Sequence, residues 1–129
     1  MADFAKLRVS LVYSENSDYS RPRVQTDLEP YESTTATQYE SRIQAIGFAA
    51  PETIELGGFT TIECLVIKNK DATNYVTATF DSAGNSTTDN ILRIGAGKVL
   101  VLTDVTPGSD LILQANTAAC DVEVVVTGT

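Results

Sequence analysis

The densest run of β-branched and apolar residues outside the C-terminus is residues 60–69, Thr-Thr-Ile-Glu-Cys-Leu-Val-Ile-Lys-Asn. Side chains on a β-strand alternate between its two faces, so Cys64 and Val66 share one face while Leu65 and Ile67 share the other. The middle of this strand is therefore apolar on both faces, which is typical of a strand covered on both sides. One cover is the core of the domain. The second could be the rest of the chain or another subunit, and the sequence leaves both open.

The composition predicts a single domain, residues 1–129. A chain of 129 residues, 43% of them hydrophobic, can bury a core without disulfides or metal ions. Its net charge of −8 disfavours contact with phosphate backbones, so we expect no nucleic-acid partner. The sequence shows neither a secretory signal nor an apolar window long enough to cross a bilayer, so we expect no membrane partner.

Short alternating segments, separated by turn residues, make up most of the chain, and no segment carries a helical stripe. This rhythm predicts an all-β fold, either an antiparallel β-sandwich or a jelly-roll-like barrel. The predicted strands are residues 7–14, 38–46, 52–56, 60–69, 75–80, 91–94, 99–103, 111–115 and 120–127. The predicted core comprises Ile62, Cys64, Val66, Val76, Phe80, Leu92, Val101, Leu113, Val122 and Val124.

The two cysteines, Cys64 and Cys120, each lie inside an apolar run. We predict two small reduced core side chains, because a cytoplasmic protein of this size rarely needs a disulfide. A disulfide is the alternative if their strands are neighbours.

Residues 15–40 are rich in Ser, Thr, Asp, Glu, Tyr and Pro and contain few aliphatic side chains. Such a segment buries little of itself, so it is either a long surface loop or an extended arm that becomes ordered against a neighbouring subunit. We predict the arm, poorly ordered in an isolated monomer, because tyrosines supply contact area at low entropic cost and arginines suit an acidic patch on a neighbour. The candidate interface residues are Tyr19, Arg21, Arg23, Tyr31 and Tyr39.

No catalytic, cofactor-binding or metal-binding residue is predicted. The chain lacks histidine, the commonest general base, so we expect no enzyme. The glycine-rich segment 95–98 lacks the spacing of a phosphate loop and is predicted to be a hairpin turn. The oxygen-rich loop 81–90 could hold a calcium ion, but Asp and Asn are ordinary turn residues and their spacing fits no EF-hand.

Two segments resemble parts of small structural proteins of tailed bacteriophages. They are residues 65–76, Leu-Val-Ile-Lys-Asn-Lys-Asp-Ala-Thr-Asn-Tyr-Val, and residues 113–124, Leu-Gln-Ala-Asn-Thr-Ala-Ala-Cys-Asp-Val-Glu-Val. The likeness covers roughly residues 52–129. It implies a β-sandwich unit that is made in the host cytoplasm, resides in the virion and contacts copies of itself and other virion proteins.

The sequence is therefore compatible with two functions. The first is a non-enzymatic virion structural protein that forms homo-oligomers and docks on the capsid, collar or tail through its sheet edges and N-terminal arm. The second is a carbohydrate- or receptor-binding β-sandwich module. Sugar sites commonly stack rings on exposed aromatic side chains, and a chain with 7% aromatic residues and no tryptophan has few to offer.

Overall fold

Backbone contacts in the structure, a computed structural model, divide the chain into two compact units, Met1–Thr35 and Ala36–Thr129. Each is described by itself. The residues that the structure describes are 5–7, 10–13, 24–27 and 31–33, for which the backbone is given, and 38–56, 58–80, 92–105 and 111–129.

The first unit contains four short strands: β1 (Ala5–Leu7), β2 (Ser10–Tyr13), β3 (Val24–Asp27) and β4 (Tyr31–Ser33). They form two antiparallel pairs, β1 with β4 and β2 with β3. Strands β3 and β4 fall within residues 15–40, in the part before residue 38, where the sequence predicts no strand because the segment has so little apolar area. The behaviour of this segment as an arm in an isolated monomer stays a prediction.

The second unit is a sandwich of two four-stranded antiparallel sheets, which confirms the predicted all-β class. One sheet has the order β10-β7-β12-β5 and the other β6-β11-β8-β9. The described residues contain no helix that could cross a membrane. The strands are β5 (Gln38–Ile46), β6 (Glu52–Ile54), β7 (Ile62–Asn69), β8 (Val76–Phe80), β9 (Leu92–Ile94), β10 (Val99–Val105), β11 (Leu111–Ala115) and β12 (Cys120–Gly128).

The strand pairs of this unit are nested. Strand β5 pairs with β12, β6 with β11, β7 with β10 and β8 with β9. The chain thus runs as one long hairpin whose two arms are wound so that β12 also pairs with β7, and β11 also pairs with β8. This is the strand arrangement of a jelly roll. The two sheets remain separate, so the sandwich describes the fold better than a closed barrel.

The core lies between the two sheets. The apolar side chains buried there include Ile46, Ile54, Leu65, Ile67, Val76, Ile94, Leu111, Leu113, Val122, Val124 and Val126. The predicted core members Ile62, Cys64, Val76, Leu113, Val122 and Val124 are indeed buried.

Four of the predicted core residues are not buried. Phe80 and Leu92 are 45% and 44% exposed. Both follow the inward alternation of their strands, but Phe80 is the last residue of β8 and Leu92 the first of β9, so they lie at the end of the sandwich. Val66 and Val101 are only half-buried, because they lie on the outer face of their sheet.

A β-bulge explains why the core of β7 differs from the prediction. Thr127 lies opposite Cys64 and Gly128 opposite Ile62, so Glu63 is an extra residue in β7. The bulge interrupts the alternation: after one inserted residue, each side chain points to the opposite face from the one that a regular strand would give it. Ile62 therefore shares the inner face with Leu65 and Ile67 rather than with Val66.

The chain passes very close to itself beside this bulge. A Cβ atom on Gly128 would lie 1.9 Å from the carbonyl oxygen of Thr61, so no side chain fits at this position. The Thr129 N–H donates to the same Thr61 oxygen at 3.0 Å, which holds β12 against the entry to β7.

Both cysteines are buried, and neither forms a disulfide. Cys64 lies opposite Thr127, which is seven residues along β12 from Cys120. At about 3.4 Å per residue that offset is roughly 24 Å, well beyond the reach of a disulfide. Burial raises the pKa of both thiols, so they stay protonated at neutral pH. Two buried, reduced cysteines, as predicted, fit this geometry, with Cys120 in the core and Cys64 on the opposite side of its sheet.

Candidate functional site

One sheet presents an apolar outer face to its surroundings. We call it the outer face; it consists of the side chains of β10, β7, β12 and β5 that alternate away from the core. Its centre is a row of three valines that lie directly opposite one another across three strands, Val101, Val66 and Val125. The full set is Val99, Val101, Thr103, Cys64, Val66, Lys68, Asp121, Glu123, Val125, Thr127, Tyr39, Ser41, Ile43 and Ala45.

The neighbouring row of the outer face combines two charges with two aliphatic side chains. Lys68 lies opposite Glu123 in the middle of the row. Val99 lies on the β10 side of Lys68, and Ile43 lies on the β5 side of Glu123. Val99 is 50% and Ile43 60% exposed, so the aliphatic side chains at both ends of this row are open. The outer side of β7 is thus the second apolar face that the sequence indicated.

The edges of the two sheets differ. Strand β6 is an edge of three residues, and side chains from β5 bind one backbone carbonyl within it and one just after it. The Gln44 Nε2 donates to the Thr53 oxygen at 3.2 Å, and the Arg42 Nη2 donates to the Glu55 oxygen at 3.0 Å. Arg42 also pairs with Glu40. Strand β5 itself is a nine-residue edge, long enough to accept another strand.

Of the five predicted interface residues, the structure describes Tyr39 and the backbone of Tyr31. Tyr39 lies on β5 with its side chain 77% exposed. Tyr31 opens β4, for which the structure gives the backbone alone. Tyr19, Arg21 and Arg23 lie outside the described residues, so their part in an interface stays a prediction.

A buried polar residue, Asn69, closes β7 and was not predicted from the sequence. Its side chain is fully buried. The Nδ2 group donates to the carbonyl oxygens of Asn74 at 2.8 Å and Ile94 at 3.1 Å, and Oδ1 accepts the Asp71 N–H at 3.0 Å. Both N–H donors of the Asn69 side chain and one of the two Oδ1 lone pairs are therefore hydrogen-bonded. Leu65 and Ile67 both face the core, and the next residue in this two-residue period is Asn69. This alternation could have identified Asn69 as buried.

Asp71 shapes the connection between β7 and β8. Its Oδ1 accepts the Asn74 N–H at 2.6 Å and the Thr73 N–H at 2.8 Å, and it also accepts the Thr73 hydroxyl. This is an Asx-type turn, in which a short carboxylate replaces backbone acceptors. The two backbone hydrogen bonds, from Asn74 and then Thr73, hold the pKa of the Asp71 carboxyl below its ordinary value of 3.8.

The lowered pKa of Asp71 predicts a pH-dependent contribution to stability. Because the folded-state pKa lies below the unfolded one, the carboxylate stabilises the fold above the unfolded pKa, and this is lost as the pH falls through the folded pKa. Asp71→Asn keeps the acceptor oxygen but cannot ionise. In urea unfolding, the wild type is expected to exceed this variant in stability by more at about pH 6 than at about pH 3. A difference that is the same at both pH values would contradict the assignment.

The two segments that carry the bacteriophage resemblance meet in the structure. The Thr117 hydroxyl donates to the Asn74 Oδ1 at 2.7 Å. The Tyr75 N–H donates to the Asn116 Oδ1 at 3.2 Å, and the Asn116 N–H donates to the Tyr75 oxygen at 3.2 Å. The Arg93 guanidinium stacks 3.6 Å above the Tyr75 ring centre. These polar residues thus hold the connection between β7 and β8 against the connection between β11 and β12.

A shallow polar depression lies at one end of the outer face. Its volume is about 390 Å³. Two carboxylates and an ammonium group contribute to its wall, together with small apolar side chains. The lining residues are Ile43, Lys70, Asp71, Ala72, Ala119 and Asp121.

Of the two loops considered as ligand sites, the structure describes one. The candidate calcium loop, 81–90, lies outside the described residues. Within the part that is described, no group of three acidic or cysteine side chains could hold a metal ion. Segment 95–98 is a turn, closed by the Lys98 N–H on the Gly95 oxygen at 2.9 Å with Gly97 at φ 67°. It joins β9 and β10 of different sheets, so the predicted hairpin is wrong.

Comparison with known proteins adds no assignment to this geometry. No protein-family model matches the chain, and neither a curated protein nor a solved structure shows significant similarity to it.

Proposed function

We propose that the chain is a non-enzymatic structural protein of a tailed-bacteriophage particle. In this role it forms homo-oligomers and docks on the capsid, collar or tail through its sheet edges and residues 15–40. The sequence resemblance of residues 52–129 motivates the proposal, and the jelly-roll topology supports it, because viral capsid proteins commonly use this fold. Fold alone does not assign function, which resides in particular surfaces and sites.

The observation that carries the proposal is the contrast between two edges. Natural β-proteins protect exposed edges with short strands, covering side chains or charges, because an open edge pairs with other strands. Strand β6 has the first two protections: it is short, Gln44 donates to the Thr53 carbonyl within it, and Arg42 donates to the Glu55 carbonyl just after it. Strand β5 has nine residues, and Tyr39 near its start is 77% exposed. A long edge with an exposed tyrosine is suited to strand addition by another particle protein.

The test is incorporation into particles. Tyr39→Lys places a charge on the β5 edge, and we expect particles assembled with this variant to contain several-fold less of the protein than wild-type particles, because edge lysines oppose strand addition. Quantitative mass spectrometry of purified particles measures the content, and an electron-microscopy map locates the subunit.

Phe48→Lys is the matched control, since Phe48 is also an exposed aromatic residue but lies outside the strands. It is expected to incorporate normally. Wild-type protein that is absent from purified particles would overturn the proposed function. Equal incorporation of both variants would mean that the β5 edge takes no part in docking.

A carbohydrate-binding module is the alternative, and the polar depression favours it. Carboxylates such as Asp71 and Asp121 are acceptors for sugar hydroxyl groups, and jelly rolls are also common among lectins. Among the described residues, no aromatic side chain lines the depression, so a sugar ring would find no stacking partner in that part of the wall. Specific binding on a glycan array that Asp121→Ala abolishes would favour this alternative over the structural role.

A further inference from the structure

We infer that the outer face is a homodimer interface, occupied by the outer face of a second copy of this chain around a two-fold axis. The inference deepens the proposed assembly role by naming one surface and its partner, and it rests on that role for the expectation of self-association. It concerns side-chain packing on the face of the sheet rather than strand addition to the β5 backbone, and its variants lie on β7 and β12, so the two can fail separately.

The arrangement of charges on the outer face points to a second copy. A two-fold interface must be self-complementary, because the same patch meets itself. If the axis runs parallel to the strands between β7 and β12, the strand order of the partner is reversed across the interface. Lys68 then faces Glu123 of the partner subunit, and Glu123 faces the partner's Lys68. Each charge meets its opposite twice, within a chain whose net charge of −8 otherwise opposes self-association.

The same axis also matches the apolar side chains. Val66 faces the partner's Val125, and Val125 faces the partner's Val66. At the margins Ile43 faces the partner's Val99, so both open aliphatic ends of the charged row become covered. The packing brings two sheets together with their strands aligned, which is a common way for sheets to stack.

The size of the face predicts a reversible dimer. Strands about 4.8 Å apart and about 3.4 Å per residue give four strands of eight residues a face of roughly 19 Å by 27 Å. Two such faces together bury on the order of 1,000 Å², at the lower end of specific interfaces. The dimer is therefore expected to dissociate on dilution.

A charge exchange tests the inference in the purified full chain. Lys68→Glu and Glu123→Lys each place like charges opposite one another in a homodimer, so each variant alone is expected to dimerise about tenfold more weakly than the wild type. An equimolar mixture of the two restores opposite charges at both contacts, and we expect heterodimers at near wild-type affinity. Sedimentation velocity between about 1 µM and about 1 mM measures the association.

A second variant removes the apolar contact. Val125→Asp places a carboxylate at the centre of the interface, and we expect dimerisation to weaken about a hundredfold while circular dichroism stays that of the wild type. A wild-type chain that is monomeric throughout the concentration range would overturn the inference. So would a dimer in which the mixed charge variants associate no better than either alone. Outer-face residues protected from solvent labelling in a dilute monomer would assign the cover to another part of the same chain.

Discussion

Replacing Val124 with aspartate is expected to unfold the second unit. Val124 is fully buried on the inner face of β12, the strand that pairs with both β5 and β7. A carboxylate placed there has no partner and must be desolvated or protonated, at a cost of several kcal/mol. That approaches the whole stability of a small domain, about 5–15 kcal/mol. Circular dichroism and amide NMR at neutral pH measure the loss of structure.

The same substitution one residue along the chain is the matched control. Val125 alternates to the outer face and is half-buried, so Val125→Asp keeps its carboxylate in contact with water. The monomer is expected to remain folded, with stability lowered by about 1 kcal/mol or less. A folded Val124→Asp, or equal damage from both substitutions, would mean that the faces of β12 have been assigned incorrectly.

Replacing Asn69 with leucine is expected to destabilise the sandwich by about 2–4 kcal/mol, because each buried polar group left without a partner costs about 1–3 kcal/mol. Leucine has a similar shape but leaves the carbonyl oxygens of Asn74 and Ile94 without their side-chain donor. It also removes the acceptor of the Asp71 N–H. The midpoint and slope of urea unfolding give the change in free energy.

Asn116→Leu is the control for this second substitution. Asn116 also bonds to backbone, accepting the Tyr75 N–H at 3.2 Å, but in an exposed position where water can replace it. A loss of about 0.5–1 kcal/mol is expected. If the Asn69 and Asn116 variants lose the same stability, burial does not set the strength of the Asn69 network.

The strands of the second unit could be predicted from alternation, because most of them obey a strict two-residue period. Cys120–Gly128 is the clearest example, with every even-numbered residue buried. The bulge at Glu63 could not be predicted, since nothing in Ile-Glu-Cys distinguishes it from regular strand. The error followed directly: Val66 was assigned to the core, although it lies on the outer face.

The candidate surfaces were predicted only in part. The two-faced apolar character of residues 60–69 indicated a second apolar face, and the outer face of β7 supplies it. Its pairing of Lys68 with Glu123 depends on the strand order β7-β12, which joins residues distant in sequence. Local patterns do not contain that information. Asn69 was missed for a related reason, because polar residues at a strand end usually face solvent.

The nested pairing of strands has a consequence for synthesis on the ribosome. Cys120–Gly128 is the last strand along the chain, yet it lies between β5 and β7, so neither of these can complete its sheet before it arrives. A nascent chain that has emerged only as far as β11 exposes the apolar inner faces of both neighbours. Folding of this unit therefore waits until β12 has emerged and is limited by long-range strand pairing, which is slow. In that interval the unfinished sheet is open to aggregation and is a natural client for chaperones.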